Sequence, residues 1–236
     1  MKISVIILNW KRPENIRKFI LPNLEKNNLV DEIIISHGNK NTFFDYVTDK
    51  VLIIHRKDWI YNNEFGLSLR FLCGLSAKNK IICFMDDDEI IHYDDFKMCV
   101  NVLKNNDNCG IVGKYGRILN YVGKKYEYNT RNVTGIVDIV LTKFMIFHKK
   151  LIYDFFLNND NLDNLLSQSI PYWNGEDIFI SLLSRKRFGR SSLFVIKSKH
   201  YNKLSEGDVS VSRWSGHKTF RGNFYTECLK ILDLQK

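Results

Sequence analysis

Three consecutive aspartates, Asp86, Asp87 and Asp88, follow the apolar run Ile81 to Met85. A short buried strand that ends in three carboxylates sets several acidic oxygens at one sheet edge. Left unpaired, they repel one another and raise each other's pKa. A hard divalent cation removes that cost, because Mg²⁺ or Mn²⁺ prefers oxygen ligands and can bridge to phosphates. The triplet therefore reads as a site for a metal and a diphosphate, against the plainer reading of a solvated acidic turn.

Four further groups can act with it. Asn9, Lys11 and Arg12 follow the first apolar run and either grip a base or diphosphate or form a basic turn facing water. Asn62, Asn63 and the segment Ser68 to Phe71 lie upstream of the triplet. Arg70 in that segment can pair with phosphate or with an aspartate at the strand end. In Trp173 to Ile178, Glu176 and Asp177 open a helix behind Gly175. Capping and the helix dipole alone favour acid there; the functional reading has Trp173 stacking on a sugar while the two carboxylates accept its hydroxyls. The late segment with His200, Arg213, Trp214, His217 and Arg221 is a solvated basic loop, or a set of cations closing over a departing diphosphate.

The elements that must position these groups alternate in the first half. Ile3 to Leu8, Glu32 to Ser36, Val51 to Ile54 and Lys80 to Met85 read as short buried strands. Helices are expected after Pro13, over Leu67 to Ala77, and through Phe96, Val100 and Leu103. This order predicts an α/β sandwich with a mostly parallel sheet covered by helices, and ligands beyond the carboxyl ends of its strands. In the second half, Gly110 to Asn120 and Gly135 to Val140 read as strands around a polar hairpin near Val122 to Thr130. Phe144 to His148 and Leu193 to Ile196 add strands; Leu151 to Leu157, Asp177 to Lys186 and Phe224 to Leu234 add helices. Asn158 to Asn164 reads as a loop or helix end. The polar stretch Lys199 to Asn223 is expected to be a mobile lid.

Bulk properties narrow the class. With 236 residues, 44% hydrophobic and 26% charged, the chain is an ordinary globular protein with one substantial core. A single domain is expected in two halves, 1–110 and 111–236, the second carrying the lid and final helix. Five scattered cysteines without metal spacing imply reduced core thiols and a reducing, cytoplasmic setting. No stretch has the length of a transmembrane helix, and the N-terminus enters a strand directly, so a soluble chain without signal peptide is expected. A formal charge of +9 suits an anionic partner. Lys and Arg are dispersed and no nucleic-acid motif appears, so no nucleic-acid partner is expected. The phosphate loop, the dinucleotide fingerprint, the nucleophile elbow and metal-protease histidines are all absent.

The segments ISVIILNWKRPENIRKFI, FMDDDEII and NGEDIFISLL resemble a GT-A nucleotide-sugar glycosyltransferase. The chain is most similar to the exostosin-like, family 64-type C-terminal transferase domain. SLRF at Ser68 to Phe71, the triplet, NGEDI at Asn174 to Ile178 and Arg221 ahead of TECLKI occur in that family's order. Gly175 stands where the family usually has cysteine, and Arg221 lies farther from the Glu-Cys pair than usual, leaving Arg213 or Arg221 for the arginine role.

The resemblance implies a GT-A (Rossmann-like) fold and transfer of a sugar from a UDP-sugar to an acceptor hydroxyl on a glycan or glycoconjugate, with Mn²⁺ or Mg²⁺ and with retention. The metal ligands are then drawn from Asp88, Asp86 and His217. The donor is held by Asn9, Lys11, Arg12, Asn62, Arg70, Asp86 and Asp87. Asp177, Glu176, Arg221 and Arg213 form the catalytic group, and Tyr115, Tyr126, Tyr128 and Trp173 are acceptor platforms or packing. Three alternatives stay open: an inverting family-two-like transferase with Asp177 as general base, a sugar nucleotidyltransferase, and a non-catalytic nucleotide- or carbohydrate-binding module.

Overall fold

The structure, a computed structural model, describes residues 1–123, 125–157, 174–204 and 215–234, without the side chains of Asn62 and Asn63. Fourteen strands lie among these residues. They are β1 (Ile3–Asn9), β2 (Val30–His37), β3 (Val51–His55), β4 (Ile81–Met85), β5 (Glu89–Ile90), β6 (Ile111–Gly113) and β7 (Gly116–Arg117). Then follow β8 (Leu119–Val122), β9 (Lys125–Tyr128), β10 (Gly135–Ile136), β11 (Ile139–Val140), β12 (Phe144–His148), β13 (Leu193–Val195) and β14 (Asn202–Lys203).

Eight strands form the central sheet in the order β10-β13-β6-β12-β4-β1-β2-β3. Neighbours from β4 through β1 and β2 to β3 are parallel, as are β13 and β6, whereas β12 runs against both β4 and β6. All seven residues of β1 are buried, because helices cover both faces and no strand face meets water. Alternation divides the core in two. Ile6, Ile34, Ile82 and Phe84 face the helices Leu69–Ser76, Lys150–Leu157, Glu176–Phe188 and His217–Ile231. Val5, Ile7, Ile33, Ile35 and Met85 face the helical run that opens at Pro13 and the helix Tyr93–Asn105.

Register brings the chemistry to one edge. Ile7 of β1 lies beside Met85 of β4, so Asn9 to Arg12 and the triplet leave the sheet together. In antiparallel β12, Phe144 lies opposite Met85, so the strand's start delivers Thr142 and Lys143 to the same edge.

The short strands and most helices fall where the hydrophobic pattern put them. The late segment differs. The final helix starts at His217, not Phe224, so His217 and Arg221 are buried helical residues and not part of a lid. Residues 205–214, which include Arg213 and Trp214, and residues 158–173, which include Trp173, lie outside the described residues. All five cysteines are buried free thiols. No described helix is long and apolar enough to cross a membrane.

Candidate active site

Each carboxylate of the triplet meets a cation from a different element. Arg70, in the first turn of Leu69–Ser76, reaches Asp86 Oδ1 with both terminal nitrogens at 3.2 Å and also donates to the carbonyl of Thr142. Arg12 donates to Asp87 Oδ1 at 2.5 Å, and Asn15 donates to the Asp87 carbonyl. Lys143 donates to Asp88 Oδ2 at 3.1 Å. Backbone bonds fix the same turn: the Asp86 amide donates to the Lys143 carbonyl, and the Leu204 amide to that of Asp88. Leu204 follows β14, which pairs with β5 just past the triplet.

These partners do not satisfy every oxygen. Asp87 Oδ2, Asp88 Oδ1 and Glu176 Oε2 are buried without a hydrogen-bond partner among the described residues. Burial pushes the Asp87 carboxyl up to about 6 against the pull of Arg12, and burial with the Asp86 charge raises Asp88. For Lys143 burial works against the charge, but Asp88 and Asp86 hold its pKa above the ordinary lysine value.

The second acidic pair opens the helix Glu176–Phe188. Gly175 precedes it at φ 117°, in the left-handed region, and an added Cβ would sit 2.7 Å from the Phe224 ring. Any side chain here would be both strained and crowded, which accounts for glycine where the resembling family has cysteine. Asp177 is fully engaged: Oδ2 accepts from Arg221 at 2.7 Å and Oδ1 from the Ile178 amide at 2.8 Å. Arg221 also bonds Asn174 Oδ1 and lies 4.4 Å over the Tyr128 ring. Burial opposes its charge, yet Asp177 raises its pKa. Glu176 is held on one side only, by Thr142 Oγ1 at 2.8 Å. Burial, then the neighbouring Asp177, pushes its pKa up to about 7.

The other expected residues are placed as follows. Asn9 is buried and donates through Nδ2 to Thr42 O and His37 Nδ1, both at 2.8 Å. Since a carbonyl only accepts, the amide orientation is settled, and Asn9 Oδ1 is left without a partner. Burial lowers His37 to a pKa of about 4, so its ring is neutral, with Nδ1 accepting and Nε2 carrying the proton, also unpartnered. His37 escapes sequence reasoning because nothing in β2 marks its last residue. Lys11 is exposed, 6.0 Å from the Trp10 ring, and the Asn62 side chain lies outside the description. His217 stands edge-on to Tyr128 at 5.8 Å on the Arg221 side. Asp86, Asp88 and His217 do not converge as a three-ligand cluster. Tyr115 donates to Glu89, Tyr126 packs edge-on against Tyr225 and Tyr128 lies under Arg221.

Comparison with known proteins matches the same architecture. The profile of the glycosyl transferase family 64 domain covers residues 3–233. No curated protein matches the chain. Among solved structures, S. aureus TarS 1-349 in complex with UDP-GlcNAc superposes with TM-score 0.60 at 14% identity, covering 99% of this chain and 66% of that one. A longer S. aureus TarS structure gives TM-score 0.56 at 13% identity, and this chain spans 39% of its length. Glucosyl-3-phosphoglycerate synthase from Mycobacterium tuberculosis, in complex with Mn²⁺, UDP-glucose and phosphoglyceric acid, gives TM-score 0.57 at 11% identity, covering 100% of this chain and 81% of that one. These similarities establish a GT-A glycosyltransferase fold.

Proposed function

The chain belongs to the glycosyl transferase family 64 domain family, and from that premise we propose that it moves a sugar from a UDP-sugar to an acceptor hydroxyl on a glycan, with retention, in the manner of exostosin-like transferases. The observation that carries this reading is the unpartnered Asp88 Oδ1, buried at the carboxyl end of β4 beside Asp86. A buried anionic oxygen without a donor fits a divalent cation, and Mn²⁺ or Mg²⁺ suits an all-carboxylate set. Asp88 and Asp86 would hold the ion, which neutralises charge on the leaving diphosphate when bound. The donor half is then 1–110 and the acceptor half 111–236.

The chain's own residues divide the remaining work. Lys143 and Arg12, already at the edge, offer charge to the diphosphate. Asn9 Oδ1 and His37 Nε2–H are an unpartnered acceptor and an unpartnered donor, the two functions that the imide N–H and a carbonyl of uracil would take. Phe43 and Phe44 meet the His37 ring edge-on, so base entry requires their segment to swing outward. Asp177, with both oxygens taken, positions Arg221 and the helix start. Glu176 Oε2 is the free carboxylate oxygen that faces sugar hydroxyls.

One observation favours a second reading. A free oxygen on a carboxyl whose pKa is pushed to about 7 suits a general base. The transfer would then invert, with Glu176 and not Asp177 taking the acceptor proton. NMR of the first-formed anomer separates the two: the donor's configuration supports retention, and the opposite one transfers the role to Glu176. Metal and nucleotide are tested by thermal shift with UDP, GDP and CMP, with and without Mn²⁺. Stabilisation by UDP that needs Mn²⁺ and disappears in Asp88→Asn is expected; equal UDP stabilisation in that variant refutes the assignment.

A further inference from the structure

A second set of potential ligands lies at the same sheet edge, beyond β2. β3 ends at His55, beside Ser36 of β2. The chain then turns into the short helix Asp58–Tyr61, which returns Asp58 to His55, and Cys73 enters from the helix Leu69–Ser76. Cys73 Sγ lies 3.1 Å from Asp58 Oδ2, His55 Nδ1 lies 3.4 Å from the same oxygen, and Cys73 Sγ is 3.8 Å from His55 Nδ1. Among the described residues this is the one group of three such side chains whose ligand atoms all lie within 4.8 Å of one another.

Two ordinary explanations fit poorly. A thiol–imidazole–carboxylate relay needs thiol and carboxylate on different ring nitrogens; here both meet Nδ1. A plain hydrogen-bonded cluster is crowded. Asp58 Oδ2 already accepts from Ser36 Oγ at 2.6 Å, so three donors converge on one carboxylate oxygen.

A single cation resolves the crowding. Zinc bonds of about 2.0–2.3 Å to N, O and S in a tetrahedron imply ligand separations of roughly 3.3–3.6 Å, and the observed edges of 3.1, 3.4 and 3.8 Å bracket that range. We propose that His55 Nδ1, Asp58 Oδ2 and Cys73 Sγ bind one Zn²⁺ ion. Thiolate and imidazole select zinc over the hard Mg²⁺ or Mn²⁺. On binding, the Cys73 S–H bond breaks, its proton leaves to solvent, and the S–Zn bond forms; His55 binds as neutral imidazole with its proton on Nε2. Ser36 remains hydrogen-bonded to the carboxylate and orients it. His55 and Asp58 are partly exposed, with side chains 27% and 14% accessible, so water takes the fourth position. The ion ties edge strand β3 and the Asp58 helix to the helix that carries Arg70. It acts as a positioning clamp, and its binding does not depend on the transferase reading.

The test uses the full chain, stripped with chelator and titrated with Zn²⁺ or with Co²⁺ as a spectroscopic substitute. One equivalent is expected per chain, with a near-ultraviolet thiolate-to-cobalt band and a rise in melting temperature. Asp88→Asn, which removes the other candidate ion site, keeps all three. Cys73→Ala and His55→Ala lose the band, and zinc affinity falls by more than about 100-fold, beyond the roughly 10–100-fold cost of losing an outer-shell partner. Where Cys73→Ala does not fold, wild-type Cys73 alkylation provides the measure, with Zn²⁺ slowing it at least tenfold. The proposal is overturned if wild type shows no thiolate band, if either variant binds as wild type does, or if Zn²⁺ leaves alkylation unchanged.

Discussion

Replacing Glu176 with glutamine separates its electrostatic cost from its chemistry. Its carboxyl is buried, keeps one hydrogen bond from Thr142 and titrates at about 7 against an ordinary 4.5. The folded state therefore holds the proton more tightly than the unfolded one. The associated stability is fully present below the unfolded pKa and is lost as pH rises towards 7. At about 1.36 kcal/mol per pKa unit, the ionised form costs the folded state about 3 kcal/mol at pH 8.5. Glutamine carries no charge and its Oε1 still accepts from Thr142, but its amide N–H replaces the unpartnered Oε2 at a cost of about 1 kcal/mol. Glu176→Gln should thus be about 2 kcal/mol more stable than wild type at pH 8.5, with the gain vanishing near pH 5. Urea denaturation at both values measures this. A gap that is the same at pH 5 and pH 8.5 refutes the assignment of a raised pKa to Glu176. In the same variant, turnover should fall on the order of 10²-fold or more whether the carboxylate stabilises charge or takes a proton.

Three further variants probe the rest of the edge. Arg221→Met leaves Asp177 buried and unpaired and should cost about 3–5 kcal/mol; adding Asp177→Asn should recover most of it in urea titrations, and no recovery would mean that the pair is not the source. Gly175→Ala should cost about 1–3 kcal/mol from left-handed strain alone, with the Phe224 contact adding to it, read as a lower urea midpoint. Lys143→Gln removes the cation that shares Asp88, so Mn²⁺ should bind on the order of tenfold tighter without nucleotide, about 1.4 kcal/mol, while UDP binds more weakly. Mn²⁺ titration by electron paramagnetic resonance reads the first effect; unchanged Mn²⁺ affinity would show that Lys143 and the ion do not compete.

What sequence could say about this molecule followed the range of each interaction. The buried strands announce themselves, because β4 is an unbroken apolar run and β1 and β2 carry the apolar stretches Val5 to Leu8 and Ile33 to Ile35. The Asp triplet and the Glu176–Asp177 helix start are equally local and were legible. Partners were harder. Arg70 is a legible mate for a strand-end aspartate, but Lys143 carries no local mark, since only the antiparallel insertion of β12 brings it to Asp88. The first turns of the helix His217–Ile231 escape the hydrophobic pattern because Lys218, Arg221 and Asn223 look solvated. Arg221 is buried there against Asp177, Asn174 and the Tyr128 ring, long-range pairings that no periodicity shows. His37 is invisible because the parallel pairing of β1 and β2 sets it beside Asn9, and the His55–Asp58–Cys73 cluster because only the packing of the helix Leu69–Ser76 brings Cys73 to the His55–Asp58 pair.

The charges at the edge also refine the argument that an Asp triplet demands a metal. Arg70, Arg12 and Lys143 each neutralise one carboxylate, so mutual repulsion is already relieved without an ion. What remains is an inventory of lone pairs. Each cation takes one oxygen of Asp87 and Asp88 and leaves the other buried and bare, and Glu176 repeats the pattern across the site. A protein that needed only neutrality could have satisfied both oxygens, as it does when Asp177 accepts from the Ile178 amide and the Arg221 guanidinium together. The half-satisfied carboxylates therefore stand apart from the fully engaged Asp177 in kind. They keep a fixed orientation through one oxygen and acceptor capacity through the other, which is the arrangement a binding residue needs and a structural ion pair does not.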